Sequence, residues 1–123
     1  MAEWKEMSVR AIRSAKLLKE ESDLRGSVSR AYYAAYYAVM HALPEDLTFP
    51  GGRNNPPHDR VPRYIKNNLS LPKSKKKEVI KAFNTVKSAR VTADYRPRLT
   101  VDQSLSISSV KSAQLILSTL EVL

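Results

Sequence analysis

The sequence predicts an all-α fold, an antiparallel up-and-down helical bundle of four long helices plus a short one, in a single domain over residues 1–123. Three observations predict it. Apolar residues recur at spacings of three and four through most of the chain, the period of a half-buried helix. Prolines and glycines cluster between those stretches and punctuate them. No segment alternates apolar and polar residues as a strand would, and there is no internal repeat. A chain of 123 residues, 42% of them hydrophobic, is long enough for one continuous core.

In the first helix Trp4, Met7, Ala11, Ala15 and Leu18 form one stripe. Ser22-Asp23 offers a cap, and a second helix runs from about Leu24 to Leu43. Its stripe is Val28, Ala31, Tyr32, Ala35, Tyr36, Val39, Met40 and Leu43. Residues 44–58 hold Pro44, Pro50, Gly51, Gly52, Pro56 and Pro57, and so form a loop longer than ordinary helix connections. Asp59 leads into a short helix, Arg60 to Leu69, with Pro62 in its first turn and Pro72 beyond its end. Ser74 is positioned to cap a fourth helix, with Val79, Ala82, Phe83, Val86, Ala89 and Ala93 inward and Pro97 as its stop. Thr100-Val101-Asp102-Gln103 has the spacing of a capping box for a fifth helix. The inner face of that helix is read as Ile107, Val110, Ala113, Leu117 and Leu120.

Composition narrows the function classes. Without cysteine the chain has no disulfide framework, thiolate metal site or cysteine nucleophile. The N-terminal residues lack an apolar signal core, and no apolar run approaches the ~20 residues that span a bilayer. A cytoplasmic protein with no membrane association is expected. His41 and His58 are not at metal-ligand spacing, and Gly51-Gly52 lacks the rest of a phosphate loop, so neither metal nor cofactor is expected. The lysines from Lys73 to Lys77 open a solvated helix as readily as they form a nuclear signal.

The formal charge is +9, and residues 51–98 carry 13 basic against 3 acidic side chains, while the remainder is nearly neutral. Lysine and arginine concentrated in this way displace counterions from phosphates, which points to a polyanion such as RNA; the alternatives are an acidic protein partner or a solubilising surface. Arg60, Arg63, Lys75, Lys76, Lys77, Arg90 and Arg96 are the candidate nucleic-acid contacts.

Two further patterns carry chemistry. Arg30, Tyr33, Tyr37 and His41 form a second stripe on helix two, which predicts packing against another helix or another subunit; a base-stacking platform is the alternative. At the end of helix four Arg90 and Asp94 can pair across one turn, while Tyr95, five residues from Arg90, falls off that face. The pair is either a salt-bridged helix end or part of a phosphate site.

Ser29-Arg30-Ala31-Tyr32-Tyr33-Ala34, then Pro57-His58-Asp59-Arg60-Val61, then Arg90 through Ala93-Asp94-Tyr95 resemble, in family order, the motifs of small HEPN proteins. The resemblance spans nearly the whole chain. It implies a four- or five-helix bundle, usually a homodimer, often paired with a minimal nucleotidyltransferase in toxin–antitoxin or defence loci. Many such proteins are metal-independent endoribonucleases marked by an arginine followed, after four to six residues, by a histidine. Here Arg90 is followed at the corresponding place by Tyr95, and no histidine lies beyond His58. A phenol, with an ordinary pKa of about 10, is a poor proton shuttle at neutral pH. The expectation is therefore an RNA- or nucleotidyltransferase-associated protein with a degenerate nuclease motif. Its rivals are an active endoribonuclease toxin using Arg90 with Asp94, Tyr95 or His58, and an interaction bundle that never meets nucleic acid.

Overall fold

The computed structural model describes residues 3–53 and 55–123. Among the described residues five α-helices form the bundle: α1 (Trp4–Glu20), α2 (Leu24–Ala42), α3 (Val61–Asn68), α4 (Lys73–Tyr95) and α5 (Gln103–Thr119). Four are long and α3 is short, and the described residues contain no strand. Helix α2 is the centre of the bundle and packs against α1, α4 and α5; α3 lies against α4.

The first connection is three residues long. Ser22 adopts a left-handed conformation (φ 65°), and Asp23 N–H donates to the Leu18 carbonyl at 2.8 Å, a Schellman closure of α1. The Asp23 carboxylate then accepts from Gly26 N–H at 3.0 Å and caps α2. A Cβ at position 26 would lie 2.7 Å from that carboxylate, so a larger residue there would displace the capping side chain. Helix α5 ends by the same Schellman device, with Glu121 at φ 60° and Val122 N–H on the Leu117 carbonyl at 2.8 Å.

Alanines let the helices approach closely. Ala31, Ala34, Ala35 and Ala38 of α2 are fully buried, and the gaps they leave are bridged by serine hydroxyls. Ser8 donates to the Ala34 carbonyl at 2.7 Å and Ser27 to the Ala15 carbonyl at 2.8 Å, the pairing of two antiparallel neighbours. Ser27 Oγ is also hydrogen-bonded to Ser106 Oγ of α5 at 2.8 Å. Tyr32 and Phe83, both fully buried, meet in the core with ring centroids 5.6 Å apart and planes tilted by 53°.

All six inward positions expected on α4 are buried. Four expectations need correction. Ser74 lies inside α4, whose N-cap is Pro72, because proline's fixed φ already suits the residue before a helix. The cap of α5 is Asp102, which accepts from Leu105 N–H at 2.9 Å, so Thr100 begins no capping box. Helix α3 starts at Val61, after a 3-10 turn at His58–Arg60 that takes up Asp59 and Arg60. Ile107 is 39% exposed, and the buried face of α5 turns instead through Ser106, Ser109, Val110, Ala113, Ile116 and Leu117. Serine is small enough to sit where helices touch, which the apolar pattern does not register.

Candidate functional site

Helix α2 presents Ser29, Tyr32, Tyr33 and Tyr36 towards α4, and the antiparallel register sets Tyr33 opposite Arg90 and Ser29 opposite Asp94. Arg90 is the hub. Its Nε donates to Asp94 Oδ2 at 3.0 Å, and its Nη2 donates to the Tyr33 hydroxyl at 3.0 Å and the Tyr95 hydroxyl at 3.1 Å. The guanidinium carbon lies 5.1–5.4 Å from the ring centroids of Tyr32, Tyr33 and Tyr95. Ser29 Oγ donates to the same Asp94 oxygen at 3.2 Å, so the carboxylate is anchored from both helices.

His58 reaches this cluster from the loop. Its ring stacks on Tyr36 at 4.4 Å with an interplanar angle of 11°, and its Nδ1 is hydrogen-bonded to the Tyr32 hydroxyl. The Tyr36 hydroxyl donates to the Pro56 carbonyl at 3.2 Å, so two buried phenols pin the loop on either side of Pro57.

The electrostatics fix the protons. Burial drives the Tyr32 pKa far above the ordinary phenol value despite the nearby Arg90 charge. Burial, with Tyr33 and Tyr37 close by, pushes Tyr36 up to about 12. Both phenols keep their protons at neutral pH and so have one to donate. Burial lowers the His58 pKa, and the Arg90 and Lys87 charges lower it further against the pull of Asp59. His58 is therefore neutral at pH 7; the protonated Tyr32 hydroxyl has no other acceptor among the described residues and so donates to Nδ1, the tautomer in which His58 carries its proton on Nε2. For Arg90, burial works against the charge, but Tyr33, the Asp94 hydrogen bond and Tyr95 outweigh it and leave the guanidinium more firmly charged.

Three of the five guanidinium protons are thus committed. Among the described residues the two on Nη1 meet no protein acceptor. The side chain keeps 16% of its surface in solvent, so a planar donor pair on a fixed cation is open to an anion. No group of three or more His, Asp or Glu side chains converges among the described residues, so none of these assembles a metal set.

The sequence-derived candidates separate into groups. Arg90, Asp94, Tyr95 and His58 come together. Helical spacing alone sets Tyr95 off the Arg90 face; the long guanidinium closes that angle at the helix end, where Tyr95 is 63% exposed. Arg60 and Arg63 are exposed at the start of α3. Lys75, Lys76 and Lys77 sit at the opposite end of α4, ~21 Å from Arg90 at a rise of ~1.5 Å per residue. Lys75 pairs with Glu78 at 3.4 Å and Lys76 donates to the Lys66 carbonyl at 2.9 Å. Arg96 is exposed just past α4. On the second stripe of α2, Tyr37 stacks on Trp4 of α1 at 5.9 Å and Arg30 lies 5.8 Å over Tyr33, while His41 stays exposed.

Sequence reasoning missed Ser29, Tyr32 and Arg25. The spacing of Ser29 and Tyr33, matching that of Arg90 and Asp94 on a facing antiparallel helix, was the available signal for the first. Tyr32 belongs to the core stripe, and its hydroxyl also orients His58. Arg25 donates to the carbonyls of Thr92, Ala93, Arg96, Pro97 and Leu99, closing the end of α4 behind the site. No local pattern foretells a cap supplied from another helix.

A family model described as the HEPN domain matches residues 1–123, the full length of the sequence. No curated protein and no solved structure matches.

Proposed function

The chain belongs to the HEPN domain family, and from that premise we propose an RNA-associated protein of a toxin–antitoxin or defence system that holds RNA phosphate on Arg90 without cutting the chain. The observation that carries this reading is the state of Arg90: a partly exposed guanidinium clamped by Asp94, Tyr33 and Tyr95, with its Nη1 donors free of protein acceptors among the described residues. A planar cation held in this way can bind a phosphate through paired hydrogen bonds with no proton transfer. Cleavage asks for more, since a general base must take a proton from the attacking ribose hydroxyl. The basic nitrogen of His58 is spent on Tyr32, and its other nitrogen carries the proton. The phenols of Tyr32 and Tyr36 are pushed away from neutrality.

The reading includes a homodimer and a minimal nucleotidyltransferase partner. Support for a dimer comes from the exposed end of the α2 stripe at His41 and the partly exposed Arg30. One observation favours an active endoribonuclease as the second reading: His58 and Arg90 both lie against the Tyr32 ring, at 5.6 and 5.2 Å, so an arginine and a histidine do meet without the motif spacing. The experiment is incubation of purified protein with end-labelled single-stranded RNA in chelator, beside Arg90→Ala. The expected result is binding without cleavage by the wild type and an affinity loss of about tenfold in the variant, the size of one charge-assisted contact. Cleavage by the wild type that disappears in Arg90→Ala and in His58→Ala establishes the nuclease instead.

A further inference from the structure

Helix α4 has a second face, on the opposite side from Arg90. Between its outer surface and the start of α5 runs an open groove of about 790 Å³, floored by Ile80, Ala89 and Leu105. It continues into a shallower depression of about 350 Å³ that reaches Val91 and the half-exposed Leu99. Asn84, Ser88 and Thr92 line both parts, so the two are one continuous surface. Four cations edge it, Lys77 and Lys81 in the first part and Lys87 and Arg96 in the second, and no carboxylate lines either part.

We propose that this groove docks an acidic amphipathic helix of a partner protein, its apolar stripe on the α4–α5 floor and its carboxylates against the cationic rim. Three features select this occupant. From Lys77 to Thr92 the surface extends ~22 Å, about four helical turns, which suits a helix laid along it. Two of the three hydroxyls on the surface are turned inward: Thr85 donates to the Lys81 carbonyl at 3.0 Å and Thr92 to the Ser88 carbonyl at 3.5 Å. Their protons are thereby withdrawn from any phosphate, and their methyls add to the apolar floor. No aromatic ring lines the groove, so bases have nothing to stack on, whereas every aromatic contact of Arg90 is on the other face. A second copy docked by the same face fits poorly, because it would set its own Lys77, Lys81, Lys87 and Arg96 against these four cations. The inference does not rest on the RNA reading, since neither Arg90 nor any side chain that holds it lines the groove; the rim cations Lys77 and Arg96 are candidates for both ligands.

The test is fluorescence anisotropy with a labelled peptide of about 18 residues, five helical turns. It carries leucines at positions i, i+3, i+4 and i+7 and glutamates on the flanks. A control replaces the leucines with serine at the same charge. Saturable binding of the leucine peptide is expected, with a loss of at least about tenfold for the serine control. Ser88→Trp, which fills the middle of the groove from an exposed position, and the independent pair Lys77→Glu with Lys81→Glu are each expected to weaken it by about tenfold. Arg90→Ala is expected to leave it unchanged. Equal binding of the two peptides overturns the proposal, as does no saturation at millimolar peptide. A short polyuridylate whose binding Ser88→Trp abolishes would assign the groove to RNA, and a wild-type dimer that Ser88→Trp dissociates would assign it to a second copy; either result overturns it.

Discussion

Arg25 Nη1 donates to the carbonyl of Ala93 at 2.9 Å, joining the first turn of α2 to the last turn of α4. The same guanidinium gathers Thr92, Arg96, Pro97 and Leu99, so one cation satisfies carbonyls that the end of α4 and the following turn leave open. Arg90, Asp94 and Tyr95 all lie within that last stretch of helix. Replacing Arg25 with alanine is expected to cost about 1.5–3 kcal/mol, because the lost bonds involve a charged donor. Chemical denaturation measures it. Arg25→Lys is expected to recover less than half, since an ammonium cannot span five carbonyls as a planar fork does.

Arg90 and Asp94 play unequal parts in the site. Asp94 positions the guanidinium, whereas Arg90 offers the open donors. Arg90→Ala is expected to weaken RNA binding by about tenfold, and Asp94→Ala by no more than about threefold, because Tyr33 and Tyr95 still hold Nη2. The ion pair is partly solvated, with side chains 16% and 27% exposed, so its loss is expected to cost only about 1 kcal/mol of stability. Equal affinity losses for the two variants would place the carboxylate itself at the ligand.

The fold was legible in the residues wherever burial follows a simple period. The six inward positions of α4 are apolar and evenly spaced, and every one is buried. Ile107 was misplaced because α5 buries serines on its contact face, and Ser106 and Ser109 look like solvent residues until a neighbouring helix is placed against them. The site was half legible. Arg90 and Asp94 stand one turn apart on one helix, which sequence displays directly. The contribution of Tyr33, Ser29 and Arg25 depends on the α2–α4 register, a tertiary quantity. His58 is the same kind of case, delivered to Arg90 by a loop whose docking depends on the buried hydroxyls of Tyr32 and Tyr36.

His58 makes loop anchorage depend on pH. Its pKa in the folded protein lies below the ordinary value, chiefly because burial disfavours the imidazolium, with Arg90 and Lys87 acting in the same sense. Such a group binds protons more readily unfolded than folded, so stability falls as pH drops through the unfolded value of about 6.5 and levels off below the folded one. Above that window His58 is neutral in both states and contributes no pH dependence. Protonation also removes the Nδ1 acceptor that Tyr32 uses. Melting temperature is therefore expected to fall more between pH 7.5 and pH 5 in the wild type than in His58→Asn. Parallel profiles for the two proteins would show that the loop histidine titrates as if free.

The lysines at the far end of α4 test how far RNA extends over the molecule. Lys75, Lys76 and Lys77 stand ~21 Å from Arg90 along a continuous helix, so a ligand occupying only the arginine cannot reach them. A chain lying along α4 can. Each phosphate contact on a single strand contributes about 0.7 to the slope of log affinity against log salt. Replacing the three lysines with glutamine is therefore expected to flatten that slope by no more than about 2 for a long oligonucleotide. For a dinucleotide, which is too short to bridge the two ends, no change is expected. The long-RNA effect is expected to fall short of that ceiling, because Lys75 already pairs with Glu78 and Lys76 already serves the Lys66 carbonyl. Both must give up a protein partner to gain a phosphate, whereas Lys77 is exposed. The single variant Lys77→Gln is thus expected to account for most of the change in the triple variant. An unchanged slope with long RNA would confine nucleic-acid contact to the Arg90 end of the helix.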